Sequence, residues 1–351
     1  MSHIPFDEKE LQTTIVPPIP AGLYGMPGSP TRKYHSPITP KENFLRMARG
    51  EMPLWLPNMG ADFNMIQPLV MPDAAARIKG GTDWFGIRWK YEPLTNAGMV
   101  EPGTRRLSDI TAWETELDWP DPNAIDWQAD YAENYAPYID PEKATAFVIV
   151  NGLFERTADL TSFSDTFCYL LEEQDALHAF YDKLTDFHIA LMKIARDIYH
   201  ADCITFHDDM GSQRSAFMSP DTFAEVLLPH YRRMNEAAHA MGLYVNLHSC
   251  GNVGVQIPNF IESGFDFWEG QDACNDKLAL MEQYGNRLGQ VSMFFLPPDM
   301  PDDAYEAAIT QMVNGVGKTG RYITWFGDMN PDRAARGQDL IYSLSRKLYA
   351  E

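Results

Sequence analysis

A histidine and a cysteine one residue apart are the first side chains in this sequence that suggest chemistry. His248 and Cys250 directly follow the apolar run 243–247, and an amphipathic segment comes next. A short apolar run predicts a buried strand, so both side chains are expected at its carboxyl end. An imidazole and a thiol at this spacing can bind one borderline-soft metal ion, most often zinc. The alternative interpretation is an incidental pair that binds nothing.

Two carboxylates are candidates to complete a metal site with His248 and Cys250. Asp328 follows a predicted strand late in the sequence, and Glu269 follows the next predicted strand after the one that His248 follows. Three protein ligands with one open position are typical of catalytic zinc sites. We therefore predict Asp328 as the third ligand, with Glu269 as its alternative or as a fourth ligand.

Three further carboxylates are candidate catalytic residues. Asp208 and Asp209 follow a predicted strand as an adjacent pair, and Glu155 follows another. They could donate a proton, bind the metal or orient its ligands. The alternatives are that either aspartate caps a helix and that Glu155 forms an internal ion pair with Arg156.

The elements that must position these residues alternate between strand and helix. Helical periodicity separates most of the predicted strands, and this order indicates parallel pairing through crossover helices. Strands near Trp55 and across 84–89 bring the predicted number to eight, which favours a closed (β/α)8 TIM barrel. In such barrels the functional side chains follow the strands. The six other predicted strands span 147–150, 204–207, 244–247, 265–268, 288–293 and 322–325.

The chain divides by composition into an arm and a barrel. Residues 1–39 are rich in proline and glycine and predict an N-terminal arm, whereas 40–351 predict a single barrel domain with an insertion around 84–141. The helix 221–241 should be kinked by Pro229. An arm of this kind suggests a homodimer.

Bulk composition excludes several classes of function. The formal net charge of −21 disfavours nucleic acid as a partner. No apolar run is long enough for a membrane span, no signal peptide opens the chain, and the four cysteines form no disulfide framework. These features predict a cytoplasmic protein. Aromatic residues make up 12% of the chain and suit an apolar pocket.

Several motifs together resemble the uroporphyrinogen decarboxylase superfamily, and within it the corrinoid-dependent methyltransferases. The segments that carry this resemblance are 40–47, 152–156, 206–213, 218–220, 248–252, 270–271 and 275–277. In the zinc-dependent relatives a His-x-Cys pair and a later Cys hold the metal. His248 and Cys250 match the pair, and Asp328 stands where the later Cys is expected. The resemblance also implies the (β/α)8 barrel.

The nearest resemblance is to the subunits that demethylate methoxylated aromatics such as vanillate. It implies a metal-assisted transfer of a methyl group from an aryl ether to the cobalt of a separate corrinoid (cobalamin) protein, because no corrinoid-binding motif occurs in this chain. It also implies an apolar substrate pocket with a few polar members. The candidates are Phe63, Met65, Trp84, Phe85, Trp89, Phe154, Phe163, Phe167 and Trp325, with His207 and Gln213 as the polar members.

Other functions stay open at the level of sequence. One is methyl transfer from a methylcobamide to a thiol or a folate. Another is decarboxylation of a smaller acid than uroporphyrinogen, because segment 58–65 lacks the arginine that the decarboxylases use. A third is a binding protein that has lost catalysis.

Overall fold

The computed structural model describes residues 4–20, 22–23, 28–94 and 97–350. Residues 1–3, 21 and 24–27 of the predicted arm lie outside the described residues. So do residues 95–96 of the predicted insertion.

The described chain contains strands and helices in alternation over most of its length. The strands are β1 (Thr13–Val16), β2 (Thr31–Tyr34), β3 (Phe63–Ile66), β4 (Gly81–Thr82), β5 (Arg88–Glu92), β6 (Ala97–Val100), β7 (Ala144–Ile149), β8 (Cys203–His207), β9 (Tyr244–His248), β10 (Phe267–Glu269), β11 (Gly289–Phe295) and β12 (Tyr322–Gly327). The helices are α1 (Pro40–Ala48), α2 (Met59–Asp62), α3 (Pro72–Lys79), α4 (Trp113–Glu116), α5 (Trp127–Asn134), α6 (Leu153–Leu160), α7 (Phe163–Glu172), α8 (Gln174–Asp197), α9 (Pro220–Val226), α10 (Leu228–Ala240), α11 (Ile257–Glu262), α12 (Lys277–Tyr284), α13 (Asp302–Asn314) and α14 (Pro331–Leu348).

Seven strands form one curled parallel sheet in the order β12-β11-β10-β9-β8-β7-β3. A parallel bridge between Asn58 and Thr324 links the segment before α2 to β12, and the amide of Thr324 donates to the carbonyl of Pro57 over 3.0 Å. The Asn58 side chain accepts from the amide of Phe326 as well. These bonds join edge strand β12 to the segment that leads through α2 into β3, the other edge strand. The prediction of a TIM barrel is confirmed.

Two of the predicted barrel strands are wrong in detail. The segment 84–89 leads into β5, which lies in a separate antiparallel sheet of β4, β5 and β6. Burial alternates along β5, with Trp89 buried between exposed neighbours. This pattern suits a hairpin with one face exposed to solvent. The segment near Trp55 was predicted as a strand, but its sheet pairing is limited to the isolated bridge at Asn58. The strand that pairs with β7 is instead β3, four residues long.

The helix predicted over 221–241, with a kink at Pro229, is interrupted two residues before this proline. The region 220–240 forms two helices, α9 and α10, with a break at Leu227. Pro229 lies in the first turn of α10, where its missing N–H is not needed.

Helix α1 closes the amino-terminal end of the barrel. Phe44 is fully buried, and its ring meets Phe63 at 5.0 Å, Phe267 at 5.8 Å and Tyr244 at 5.9 Å between centroids. These rings stand at or near the starts of β3, β10 and β9. The interior at this end is therefore packed with side chains, which leaves the carboxyl end for the functional residues, as is usual in such barrels.

We expect Phe44→Ala to lower the free energy of unfolding by about 3–5 kcal/mol, because it removes a buried ring from a packed cluster. Urea denaturation followed by circular dichroism measures the change. Leu45→Ala on the same helix is the control, since Leu45 is only partly buried. Equal losses for both variants would contradict the role of Phe44 as the closing residue.

The predicted arm lies against the last helix of its own chain. Glu10 receives bonds from Arg346 and from the hydroxyl of Tyr342, and Tyr34 stacks on Tyr342 at 4.2 Å. Among the described residues, no helix is both long enough and apolar enough to cross a bilayer.

Candidate active site

Two histidines at the ends of neighbouring strands form the centre of the site. His207 ends β8 and His248 ends β9, and the two residues are in register. Their rings stack with centroids 4.3 Å apart and an angle of 13° between the planes. Because the strands are parallel, both imidazoles lie at the carboxyl end of the barrel.

Each imidazole has a carboxylate at its Nδ1 atom. Nδ1 of His207 lies 2.9 Å from Oε2 of Glu155, and Nδ1 of His248 lies 3.4 Å from Oε1 of Glu269. Arg77 donates to the other oxygen of Glu155 over 3.0 Å. A carboxylate at Nδ1 favours the tautomer that carries its proton there, which leaves Nε2 as the atom that would bind a metal.

Asp209 and Cys250 lie beside these imidazoles. Nε2 of His248 is 3.4 Å from Sγ of Cys250 and 3.8 Å from Oδ1 of Asp209. Ligand atoms of His207, Asp209 and His248 all lie within 4.8 Å of one another. Two imidazole nitrogens and one carboxylate oxygen, with a thiol close by, are the ligand types that zinc prefers, so the residues present fit this metal.

The charges around His248 favour a cation at this position. Burial opposes a charge on the imidazole, but Glu269, with Cys250 and Asp209, raises the pKa of His248 well above its usual value. Burial likewise opposes ionisation of Glu155, yet Arg77 and His207 lower the pKa of that carboxyl far below its usual value. The carboxylates behind the imidazoles therefore stay ionised and would compensate a bound cation.

The loops after β8 and β9 hold Asp209 and Cys250 in place. The amide of Cys250 donates to Oδ1 of Asp209 over 2.7 Å, and the amide of Asn252 donates to the carbonyl of Ser212 over 2.7 Å. A β-carbon on Gly251 would overlap the carbonyl group of Gly211. This close approach of two backbones requires glycine.

An aromatic wall lies next to the polar cluster. Phe154, Phe163, Phe167 and Phe217 are in mutual contact, with all centroid distances between 5.6 and 6.2 Å. Phe154 directly precedes Glu155, and the amide of Phe217 donates to the carbonyl of Met210. Phe163 is 50% exposed, so the wall presents an aromatic face to solvent.

Asp328, the predicted third ligand, has other partners. Its Oδ2 lies 3.2 Å from Nε of Arg333, and its Oδ1 accepts from the amide of Asn330 over 2.8 Å. Arg333 also donates to the carbonyls of Pro297 and Pro298. Asp328 is thus placed where it helps join the loop after β11 to α14. It is not in the group of ligand atoms around His248.

The structure distributes the predicted substrate residues over several regions. Phe63 and Met65 lie in or against the cluster at the amino-terminal end, and Trp325 packs against the same cluster. Trp84 packs on Phe187 and Trp127 in the outer layer. Phe85 and Trp89 belong to the buried core. Gln213 is exposed on the loop after β8, while Phe154 and His207 lie in the site as described.

Sequence reasoning missed two residues of the site. Arg77 lies on α3, about eighty positions before Glu155, and no local motif marks it. Phe217 follows the loop after β8, and its position before Met218-Ser219-Pro220 gave no signal beyond an apolar side chain. The metal role that the geometry allows for His207 was also not predicted, because that residue was assigned to the substrate.

Asp159 on α6 is a partly buried residue, and its carboxylate has one buried oxygen without a hydrogen-bond partner. Burial raises the pKa of Asp159 to about 7, more than Arg77 lowers it. Between about pH 4 and pH 7 the unfolded chain releases this proton and the folded chain keeps it. Asp159 therefore reduces stability progressively as the pH rises through this window.

We expect Asp159→Asn to raise the free energy of unfolding at pH 8 by about 2–4 kcal/mol, since one pKa unit corresponds to about 1.4 kcal/mol. The variant should therefore unfold at a higher denaturant concentration than the wild type. The gain should shrink at pH 5. Guanidinium unfolding at both pH values tests this. Asp299→Asn, on an exposed loop, is the control for the loss of one charge. A gain that is the same at both pH values would show that the titration of Asp159 is not its cause.

The fold and the polar cluster define a TIM-barrel protein whose site lies at the carboxyl ends of parallel strands. A family model described as "Uroporphyrinogen decarboxylase (URO-D)" matches residues 85–328. The chain belongs to this family, because the match covers more than half of its length.

Solved structures with similar folds include a "methyltransferase from Methanosarcina mazei". It has a TM-score of 0.61 at 17% identity, covering 87% of this chain and 98% of that one. A sugar phosphate isomerase/epimerase from Parabacteroides distasonis (13% identity, 87% of this chain and 84% of that one) and an L-ribulose 3-epimerase (14% identity, 63% and 86%) each match with a TM-score of 0.34. No curated protein matches the sequence.

Proposed function

We propose that this protein is a cytoplasmic methyltransferase that demethylates a methoxylated aromatic and passes the methyl group to the cobalt of a separate corrinoid protein. The observation that carries the proposal is the pair of carboxylate-backed imidazoles, with Asp209 beside them, next to the aromatic wall. Family membership and the methyltransferase with a similar fold support it.

In this proposal His207, Asp209 and His248 hold a zinc ion, with Cys250 as the adjacent fourth candidate. When bound there, the metal supplies Lewis-acid stabilisation of the phenolate oxygen that the ether leaves behind. Glu155 and Glu269 orient the two imidazoles. The aromatic wall binds the ring of the substrate and keeps water from the ether, because its exposed face is apolar.

The corrinoid protein is proposed to dock over the carboxyl end of the barrel. Large apolar side chains are exposed there: Met293 at 49% and Phe295 at 59% on β11, and Met329 at 92% after β12. Exposed apolar side chains at one end of a barrel are typical of a protein contact surface. The aryl ether must be reached from this end, since α1 closes the other.

A single-turnover assay tests the reaction. The metal-loaded protein is mixed with a methoxylated aromatic such as vanillate and a corrinoid protein reduced to the Co(I) state. Methylcobamide absorbance and the phenol product should rise together in equal amounts. A protein that instead moves methyl from methylcobalamin to a thiol or folate, without any methoxyarene, would have the alternative activity. Release of CO₂ from a small acid would identify a decarboxylase.

The carboxylate ligand needs its own test, because Asp328 was predicted and Asp209 lies close to the imidazoles. Asp209→Asn and Asp328→Asn are compared by competition of a chelator for zinc. We expect the larger loss of affinity for Asp209→Asn. A larger loss of zinc affinity for Asp328→Asn would instead identify Asp328 as the third ligand.

A further inference from the structure

Asp208 is a fully buried carboxylate that accepts hydrogen bonds from three protein groups. Its Oδ2 accepts from the amide of Phe154 over 3.0 Å, and its Oδ1 accepts from the amide of Glu155 over 2.9 Å. The hydroxyl of Tyr231 donates to Oδ2 as well. Three protein donors thus hold both oxygens in a fixed orientation.

Helix α6 depends on these bonds because it has no cap of its own. Its N-cap residue is Gly152, which has no side chain to accept from the first turn. Phe154 and Glu155 are the second and third residues of the helix, whose amides a cap normally satisfies. Asp208 supplies the cap from a different strand. Gly152 leaves the space, since a β-carbon there would overlap the Asp208 carboxyl group.

The cap links the strand that carries the His207 imidazole to the helix that carries its partner carboxylate, Glu155. Asp208 directly follows His207 at the end of β8, and the helix that it caps carries Glu155. The amide of Gly152 also donates to the carbonyl of His207 over 2.8 Å. The start of α6, and with it the Glu155 side chain, is therefore fixed relative to the His207 ring.

We propose that Asp208 is a positioning residue that caps α6 from β8 and thereby holds Glu155 against Nδ1 of His207. This role rests on the proposed function, in which His207 is a metal ligand. It differs from the acid–base role that was one prediction for Asp208 and agrees with the alternative that this aspartate caps a helix, because its oxygens accept from backbone amides.

Asp208→Asn is the first test, since it keeps the shape and replaces one acceptor oxygen with an NH₂ group that faces a backbone N–H. We expect zinc affinity, measured by chelator competition, to fall about 10–100-fold, as is usual when a partner of a ligand is lost. The Co²⁺ absorption spectrum should change with it. Tyr231→Phe removes only the third bond, and its affinity should stay within about threefold of the wild type.

A double-mutant cycle with Glu155→Gln separates positioning from a general structural effect. If Asp208 acts through Glu155, adding Asp208→Asn to Glu155→Gln should weaken zinc binding little further. Losses that multiply would overturn the proposal. Should Asp208→Asn fail to fold, Asp208→Glu keeps the charge and shifts the carboxylate by one methylene; wild-type zinc affinity in that variant would also overturn it.

Hydrogen exchange distinguishes failure of this inference from failure of the metal site. If the wild type binds no stoichiometric metal, the proposed site is wrong. The cap is still tested by the exchange rates of the Phe154 and Glu155 amides, which should rise in Asp208→Asn and not in Tyr231→Phe. Unchanged exchange in Asp208→Asn would show that Asp208 does not hold the start of α6.

Discussion

Replacing His248 by alanine is expected to weaken zinc binding by more than about 100-fold, because a direct ligand contributes more than the outer partners, whose loss costs about 10–100-fold. His248 is central in the site: its Nε2 faces both Asp209 and Cys250, and its Nδ1 faces Glu269. The single-turnover rate should fall about 100–1000-fold, since several kcal/mol of charge stabilisation are lost.

Zinc content after dialysis and the single-turnover rate with excess zinc are the two measurements. His239→Ala is the matched control, because His239 pairs with Asp266 at an exposed position away from the site. It should keep both values. A His248→Ala protein with wild-type zinc content and rate would remove the metal from the mechanism.

The sequence predicted the barrel because its strongest signals are local. Apolar runs such as 204–207 and 244–247 alternate with periodic helices, and this order leaves few other topologies. Strand β3 escaped prediction because it has only four residues and follows α2 without a turn signal. The segment 84–89 was predicted as a barrel strand because its apolar residues resemble a strand. Sequence alone does not say which sheet a strand joins.

The site was partly predictable for a related reason. His248 ends a strand, Cys250 and Asp209 follow strands, and the topology alone brings such residues to one end of the barrel. Which of them meet depends on register and on loop conformation. Asp328 illustrates the limit, since two partners only two and five residues later, Asn330 and Arg333, engage its carboxylate. Arg77 reaches Glu155 through the placement of α3, which no motif encodes.

Gly251→Ala should weaken zinc binding although Gly251 offers no side chain to the metal. Gly251 has φ near 90°, a region that costs other residues about 1–2 kcal/mol. Its α-carbon also lies against the backbone of Gly211, so a methyl group must push the loops after β8 and β9 apart. Those loops carry Asp209 and Cys250, which are joined by the bond from the Cys250 amide. We expect zinc affinity to fall at least about tenfold, as for loss of an outer-shell contact.

Gly242→Ala separates backbone strain from separation of the loops. Gly242 has φ near 78°, and no atom lies within 4 Å of the position that its β-carbon would take. Both variants should lose about 1–2 kcal/mol of stability from the left-handed backbone, but only Gly251→Ala should also lose zinc affinity. Chelator competition and urea unfolding on the two proteins give the comparison. If both retain wild-type affinity, contact between the two loops does not position the ligands, and Asp209 and Cys250 must be held by their own strands.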